Sequence, residues 1–476
     1  MIPVKRTDIR LKANPKTVIL KFLEFKNPAR FEAVIMGVLA MSEEEVETQL
    51  QVIFAEFEHR HFNLRGSFLE NYERLAQYIT EEVSEAKKLL IGAYFTHEYS
   101  VQAAALFNPS IVPHPDQSGL APGQLRFILT LRATGEGHIS SIAFMTGILD
   151  ENGDAKLAPQ TSKVSSGRRV LSLNFHKNFL LDRIKVDEES MQQLADLLPE
   201  TFTEKQVLEL VEDQPLLKES VLKIFDDNYD LRFPDDSPLD SRVLFPMSRS
   251  ESNGMEDARF VQFKDGDTTT FFGTYTAYNG MVITPQLIET EDFKYFKIRP
   301  LHGAAASDKG MALFPRKING QYAMIGRQGG RSMSIMYSDD HYRWEAHPPL
   351  QHPKRSWELL QMGNCGSPVE TPHGWLLLTH AVGPMRKYVL SLSLLDLHNP
   401  DKVLASLEQP LLSPNEEERE GYVPNVLYTC GMIQHAGKLV IPYAMSDNAI
   451  SFAVVEVEDV LAELAVHSRQ LAASGV

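Results

Sequence analysis

The sequence predicts a mainly β protein of the β-propeller type, with a helical N-terminal region and a helical insertion. Short apolar strands alternate with turns that contain Gly and Asp, which is typical of antiparallel sheets. The same order of strand, turn and strand recurs at roughly 50–70 residues, as propeller blades do. Helical periodicity is confined mainly to two stretches. We therefore predict a helical region at 1–100 and a propeller domain at 101–465, interrupted by helices at about 186–230.

Composition excludes several classes of function. The chain has 476 residues and a formal net charge of -16, from 47 Lys and Arg against 63 Asp and Glu. It shows no basic cluster of the kind that nucleic-acid binding requires. The two cysteines, Cys365 and Cys430, are too few for a disulfide framework or a Cys-based metal site. No apolar run reaches the ~18 residues of a membrane span, and residues 1–8 lack the apolar core of a signal peptide. We expect a cytoplasmic protein.

The N-terminal region shows helical signals and no chemistry. Ser42 and Glu45 form a capping box, and apolar residues at helical spacing follow it. A second helix is predicted from Phe68 to about Ile91. No acid, base or metal set converges here, so we expect a packing element or a contact in a homo-oligomer.

The remaining elements follow from local patterns. Strands are predicted where apolar and β-branched residues lie between turn signals, and helices where apolar residues recur with helical period. The predicted strands are 107–112, 125–132, 139–144, 271–278, 311–315, 322–326, 332–337, 374–379, 388–395 and 438–443, and the helices are 188–198, 203–211, 216–225 and 457–464.

The stretch Asn253–Phe260 draws attention because two carboxylates and an arginine follow a glycine at the start of a predicted strand. In a regular strand, Asp257 and Arg259 share one face and Glu256 takes the other. An arginine lowers the pKa of a neighbouring carboxyl unless burial or a ligand opposes it. On these residues alone, a cross-strand ion pair that holds a turn is a better explanation than a functional acid.

Propellers bring inner-strand residues from distant parts of the sequence to one axis. Taken singly, each polar residue at these positions is more readily explained as structural. Together they form an acid- and arginine-rich set, which suits the binding of sugar hydroxyls and acid-assisted glycosidic cleavage. The candidates are Asn108, Arg132, Asp257, Arg259, Asp308, His380 and Asp447.

Other motifs give weaker indications of function. No phosphate-cradling Walker loop is present. The run Gly326–Arg331 is glycine-rich but does not follow a nucleotide-binding βα pattern, so we discount it. Asp339 and Asp340 before His341 could form a metal pair, although a turn explains them better. We predict no metal and no bound cofactor.

Gly254–Arg259 resembles the Glu-Asp-Pro-Arg signature of glycoside hydrolase family 130, with Ala258 in place of proline. Further stretches resemble the family in the same order, and together they cover roughly 105–455 apart from the insertion. These stretches are Phe107–Pro109, Leu131–Ala133, Asp308–Lys309, Ala312–Gly320, Gly363–Pro368, Gly374–Leu377, Leu394–Val403 and Gly421–Val426.

The resemblance implies a five-bladed propeller that cleaves mannosides, mostly β-linked, with inversion. It implies that Asp257 is the general acid and that its proton reaches the glycosidic oxygen through a mannose hydroxyl. Arg259, Asp308 and Asp447 would bind the sugar. The implied partner is an oligosaccharide, with no nucleic acid and no membrane.

The sequence departs from the phosphorylases of this family at Gln361, where they carry a lysine that helps to hold inorganic phosphate. Water is then the favoured nucleophile, and an inverting hydrolase needs a carboxylate base about 6.5–9.5 Å from the acid. Glu358 and Glu420 are the candidates.

Two alternatives to hydrolysis remain. In a phosphorylase that takes inorganic phosphate as co-substrate and makes mannose 1-phosphate, Arg132, Arg249 and His380 could supply contacts to phosphate. A non-catalytic, glycan-binding propeller is the other alternative.

Overall fold

The computed structural model describes residues 2–25, 27–170, 174–184 and 186–473. Five groups of antiparallel strands follow one another along the chain and form a five-bladed propeller, so the predicted fold class is confirmed. Each blade is built mainly from consecutive strands, as expected for up-and-down sheets whose apolar faces pack against their neighbours. No helix in these ranges is long and apolar enough to cross a membrane.

Blades 1 and 2 merge into one sheet, because Gly254 of blade 2 pairs with Ser140 of blade 1. Additional strands that precede blade 2 in the sequence extend both blades. The strands of blade 1 are Ala105–Pro113, Leu125–Thr134, Ser140–Leu149 and Ala155–Leu157, those of blade 2 are Gly254–Asp265, Thr268–Tyr278, Ile283–Thr290 and Tyr295–Pro300, and the additions are Ser165–Ser166, Arg168–Val170, Tyr229–Arg232 and Arg242–Leu244.

Blades 3 and 4 are separate sheets of the same design. The predicted strands 322–326 and 388–395 have the observed bounds. Blade 3 contains Ala312–Leu313, Tyr322–Gly326, Met333–Ser338 and Pro349–Gln351, and blade 4 contains Gln361–Asn364, Val369–Thr371, Gly374–Val382, Tyr388–Leu395 and Val403–Ser406.

Blade 5 joins the two ends of the propeller. Its outer strand comes from the N-terminal residues Lys5–Arg6 and Leu11–Lys12, which pair with Ala449–Glu456. The prediction that residues 1–100 are simply helical is therefore wrong at its start, because this pairing spans more than 400 residues and leaves no local pattern. The other strands of blade 5 are Leu427–Tyr428, Ile433–His435 and Lys438–Met445.

The N-terminal helices have a hydrophobic core of their own, and a two-stranded sheet completes this unit. The predicted capping box of Ser42 and Glu45 is confirmed. The single predicted helix from Phe68 to Ile91 is wrong, because Ser84 caps a new helix by accepting a hydrogen bond from the amide of Lys87. The helices are Pro28–Ala40, Glu43–Phe57, Leu64–Glu73 and Glu85–Tyr94, with short 3-10 turns at Glu58–Arg60 and Ala76–Tyr78 and strands Val18–Phe22 and Thr96–Ser100.

The insertion between blades 1 and 2 has a small core of its own. The three predicted helices lie within one or two residues of the observed bounds. The helices are Lys177–Leu181, Glu188–Leu197, Glu204–Leu210 and Pro215–Asp227, with a strand pair Phe175–His176 and Thr201–Phe202, and the last helix of the chain is Val457–Ala473.

One end of the propeller, here called the upper face, gathers equivalent turns from all blades. Each blade repeats the same up-and-down order around the axis, so the turns between second and third strands lie at the same end. The segments that enter the first strands also reach this end. The five turns are residues 135–139, 279–282, 327–332, 383–387 and 446–448.

Candidate active site at the upper face

Matching bulges in the first strands of blades 1 and 2 bring Asn108 and Asp257 together. Strand pairing shifts register between Phe107 and Ser110, and again between Glu256 and Arg259. Asn108 and Asp257 have positive φ values of 48° and 55°, a conformation that costs non-glycine residues about 1–3 kcal/mol. Asn108 Nδ2 donates to Asp257 Oδ1 at 2.7 Å.

Arg132 links both carboxylates of the central stretch. Its Nη1 lies 3.1 Å from Asp257 Oδ1 and its Nη2 lies 2.7 Å from Glu256 Oε1. Lys309 reaches the second oxygen of Glu256 at 2.8 Å. The prediction that Glu256 and Asp257 face opposite ways is therefore wrong, because the bulge breaks the strand alternation.

Arg259 is buried beneath this cluster. Its Nη1 donates to the backbone carbonyl of Asp257 at 2.8 Å, and its Nη2 donates to the Tyr428 hydroxyl at 2.7 Å. The guanidinium therefore contacts the main chain of Asp257, while its charge still acts on the carboxylate. Burial by itself raises the pKa of Asp257, but Arg132 and Arg259 outweigh it and lower that pKa to about 2.

Asp447 is a second carboxyl of the cluster, and its pKa is shifted in the opposite direction from that of Asp257. It lies in the upper-face turn of blade 5, where Ser446 and Asp447 both have positive φ values. Burial raises the pKa of Asp447 to about 6, and the negative charge of Asp257 adds to this. Two carboxyls with pKa values so far apart are the arrangement by which sites separate a charged and a protonated acid.

A second polar group lies next to the first. Arg327 Nη1 lies 3.2 Å from His380 Nε2, and Gln361 Nε2 lies 3.4 Å from the same nitrogen. Burial, followed by the charges of Arg327 and Arg259, lowers the pKa of His380 well below its usual value. The neutral ring accepts at Nε2, and its Nδ1 lies 3.3 Å from the carbonyl of Asn364, so the proton belongs on Nδ1.

Tyr428 joins the two groups. Its hydroxyl accepts from Arg259, and its ring packs against His380 with centroids 4.9 Å apart. Arg327 has no ion pair with a carboxylate in the described ranges, in contrast to Arg132. An arginine that has no carboxylate partner in these ranges is suited to bind an anionic ligand.

Residues 237–465 match the family described as β-1,4-mannooligosaccharide phosphorylase, glycoside hydrolase family 130. A 1,2-β-oligomannan phosphorylase of Thermoanaerobacter sp. is 32% identical over 233 residues, covering 47% of this chain and 75% of the relative.

The chain belongs to glycoside hydrolase family 130.

Other similar proteins carry phosphorylase names. A β-1,2-mannobiose phosphorylase of Listeria innocua is 28% identical over 233 residues, covering 48% of this chain and 64% of the relative. A β-1,4-mannooligosaccharide phosphorylase of Ruminococcus albus is 32% identical over 210 residues, covering 42% and 62%. The solved complex of a Listeria innocua β-1,2-mannobiose phosphorylase aligns with 77% of this chain and 93% of its own at 19% identity and a TM-score of 0.46.

In this family 130 enzyme, most residues predicted for the site lie together. Asn108, Arg132, Asp257, Arg259 and Asp447 form the first group, and His380 belongs to the second. Asp308 lies at the edge of the site, where its side chain is 3.8 Å from the position of a Cβ on Gly330.

The predicted base Glu358 lies elsewhere. It is 1% exposed, and its Oε1 accepts from the backbone amides of Lys354 and Arg355 at 2.7 and 2.9 Å. Arg355 in turn pairs with Glu408 beyond the outer strand of blade 4. Glu358 thus holds a loop, and its position opposes a role as base.

Glu420 and Arg249 make no direct polar contact with the cluster in the described ranges. Glu420 is exposed in the segment that enters blade 5. Arg249 is exposed too, and its backbone amide donates to Asp226 of the insertion at 2.6 Å. Within the described ranges, neither side chain has a polar contact with Asp257.

Four contributors escaped the sequence analysis: Glu256 as a partner of Arg132, Lys309, Arg327 and Tyr428. Arg327 lies in the glycine-rich run that was discounted as a nucleotide loop. The signal that could have found it is its position directly after the second strand of blade 3, where an upper-face turn begins.

Metal ligation has no support within the described ranges, where no group of three or more His, Cys, Asp and Glu residues converges. Asp339 and Asp340 form a turn, in which Asp340 accepts from the amide of Tyr342 at 2.9 Å. Two cavities lie away from the site. One of about 1050 Å³ lies between the N-terminal helices and the propeller, and one of about 580 Å³ is lined by lower parts of the first strands.

Proposed function

We propose that this enzyme is an inverting phosphorylase of β-linked mannosides. The observation that carries the proposal is the group of Arg327, Gln361 and His380 beside Asp257. Arg327 supplies a cation without a carboxylate partner in the described ranges, and Gln361 adds an amide donor. Phosphate needs such charged and neutral donors in a site partly shielded from water.

The placement of the candidate bases supports the same reaction. Water requires a carboxylate to take its proton, whereas a phosphate dianion is already nucleophilic. Glu358 is engaged in a loop, and Glu420 has no polar contact with Asp257 in the described ranges. Phosphorolysis is therefore favoured over the hydrolysis expected from Gln361, and the phosphorylase names of the similar proteins agree with it.

In the proposed reaction, a phosphate oxygen attacks the anomeric carbon of the terminal mannosyl residue. The bond from that carbon to the glycosidic oxygen breaks, and the leaving oxygen takes a proton. The products are mannose 1-phosphate of inverted configuration and the shortened sugar. The leaving oxygen accepts both the electron pair of the broken bond and the proton.

The proton source in this proposal is the pair of Asp257 and Asp447. Asp257 is held ionised in the free enzyme, whereas Asp447, with a pKa of about 6, retains a proton at mildly acidic pH. An acid works best when its pKa lies near the working pH. Because Asp257 is the stronger acid in the free enzyme, it takes this proton only when the charge of the bound phosphate dianion raises its pKa. It then passes the proton through a hydroxyl of the bound sugar, as the family resemblance implies.

The test uses β-1,2- and β-1,4-linked mannobiose, each with and without inorganic phosphate, and quantifies mannose and mannose 1-phosphate. We expect cleavage only with phosphate and mannose 1-phosphate as a product. Arg327→Gln should raise KM for phosphate by about 10–100-fold, the value of one or two charge-assisted hydrogen bonds. Arg316→Gln, which breaks an exposed pair with Glu370, is the matched control.

The hydrolytic alternative predicts the opposite result. Release of free mannose without phosphate, together with a large loss of turnover in Glu420→Gln, would replace phosphorolysis with hydrolysis. A loss of stability alone in Glu358→Gln would agree with its role in the loop.

A further inference from the structure

Tyr422 and His138 form an exposed aromatic pair at the upper face. Their ring centroids lie 6.2 Å apart at an interplanar angle of 27°, and the Tyr422 hydroxyl lies 3.4 Å from His138 Nδ1. Tyr422 remains 59% exposed. His138 belongs to the turn of blade 1, and Tyr422 to the segment that enters blade 5, so the pair bridges two blades.

The backbone of this segment is held directly against the turn that carries Asp447. The amide of Val423 donates to the carbonyl of Ser446 at 3.0 Å. A Cβ on Gly421 would lie 2.4 Å from the same carbonyl oxygen, so the two segments touch. Tyr422 therefore lies next to the turn that carries Asp447, whose carboxyl interacts by charge with Asp257 and Arg132.

The turn that presents His138 is also held in a set conformation. Gly137 and His138 have successive positive φ values of 63° and 61°. The first costs little because the residue is glycine, whereas the second is unfavourable for a side chain with a Cβ. The imidazole thus supports the Tyr422 ring from one side without covering it.

An exposed and supported aromatic ring at such a place suits a sugar. A pyranose has hydroxyl groups at its edge and C–H groups on its face. Aromatic rings bury large apolar areas, and Tyr combines this with a polar tip. The carboxyl of Asp447 and the ring of Tyr422 therefore offer complementary surfaces to one sugar unit.

We propose that Tyr422, supported by His138, is the stacking platform for the sugar that carries the leaving oxygen. This inference rests on the proposed function and assigns the specificity of the same site for its acceptor. The competing explanation is that the pair only joins two surface loops. That explanation forecasts a change in stability without a selective effect on the acceptor.

The kinetic test runs the reaction in the direction of synthesis, with mannose 1-phosphate as donor and mannose or β-linked mannobiose as acceptor. Tyr422→Ala should raise KM for the acceptor about tenfold, equivalent to ~1.4 kcal/mol, and leave KM for mannose 1-phosphate within about twofold. Tyr422→Phe keeps the ring and should retain the acceptor KM. Tyr78→Ala removes a tyrosine of similar exposure, 56%, from the N-terminal helices and serves as control.

Binding of β-linked mannobiose without phosphate, measured by calorimetry, separates this inference from the proposed reaction. If the parent enzyme binds mannobiose and Tyr422→Ala weakens binding, the platform stands even when no phosphorolysis is found. Equal affinities and equal acceptor KM values for Tyr422→Ala and parent would overturn the platform while leaving phosphorolysis intact. Equal increases in both KM values, with a lowered Tm, would also overturn it in favour of the loop contact.

Discussion

At the scale of single residues, the site depends on the unequal electrostatics of Asp257 and Asp447. Arg132 favours the charged form of both carboxyls. It pairs with Asp257 at 3.1 Å, and it opposes the rise in the pKa of Asp447. In the proposed reaction the bound sugar lies between these groups, and one of its hydroxyls carries the proton towards the glycosidic oxygen.

Asp257→Asn tests the acid pair at its charged member. The amide keeps the shape of the side chain but cannot accept or pass on a proton, so kcat should fall by about 10²–10⁴-fold. The measurement is phosphorolysis of a mannoside with a poor leaving group, with circular dichroism to check the fold. Parent-like turnover in the variant would contradict the assignment.

Asp447→Asn tests the raised pKa through stability. The folded protein holds the proton of Asp447 up to a pKa of about 6, above the usual value of 3.8, so this carboxyl destabilises the fold increasingly as pH rises from 4 to 7. The variant should therefore be more stable than the parent by roughly 3 kcal/mol at pH 8 and closely similar at pH 4. Denaturant melts at both pH values measure this.

The reverse dependence is expected of Asp257. Its lowered pKa contributes stability above pH 4 that is lost as pH falls towards 2. A stability difference for Asp447→Asn that stayed constant from pH 4 to pH 8 would contradict the raised pKa of Asp447.

At the scale of elements, the bulge of blade 2 depends on the glycine that begins its first strand. Gly254 has φ of 135°, and a Cβ there would lie 2.6 Å from the backbone nitrogen of Ser140. Close contact between blades 1 and 2 thus requires glycine three residues before Asp257. The bulge then turns Asp257 towards Asn108.

Gly254→Ala should destabilise the enzyme by roughly 2–4 kcal/mol, as backbone strain and steric overlap combine. It should also lower kcat by at least about 10²-fold, because a displacement of Asp257 by about 1 Å misaligns the reacting groups. Gly266→Ala is the matched control, since Gly266 has φ of 60° and no atom within 4 Å of the new Cβ. A cost in the control of about 1 kcal/mol, without loss of kcat, is expected.

At the scale of the whole molecule, the N-terminal strand closes the propeller. Leu11 is buried in the core cluster that includes Ile450 and Phe452 of blade 5. The pairing of Leu11 with Ile450 covers an edge strand that would otherwise present free backbone groups. The ring is thus stabilised by contacts between the two ends of the sequence.

Leu11→Ala should lower the free energy of unfolding by about 2–5 kcal/mol through the lost burial and the cavity that remains. Lys12→Ala, at the exposed neighbouring position, should change it by less than about 0.5 kcal/mol. Thermal and urea unfolding of both variants provide the comparison. Equal stabilities would show that this strand does not close the ring.

The sequence by itself determined the fold class and most of its elements. The strands 322–326 and 388–395, the capping box at Ser42 and the insertion helices all follow from contacts between residues near one another in the chain. The motifs that resemble the family in the same order also pointed to the family and to the grouping around Asp257. Such signals are readable because periodicity and capping are local properties.

Only the tertiary structure decided how the site is built. The bulge placed Glu256 and Asp257 on the same arginine, although strand alternation separates them in sequence. Arg327 met His380 across 53 positions, and Glu358 proved to hold a loop. Local patterns do not encode these outcomes, because the closing of the propeller ring selects which distant side chains converge and which carboxylates become buried.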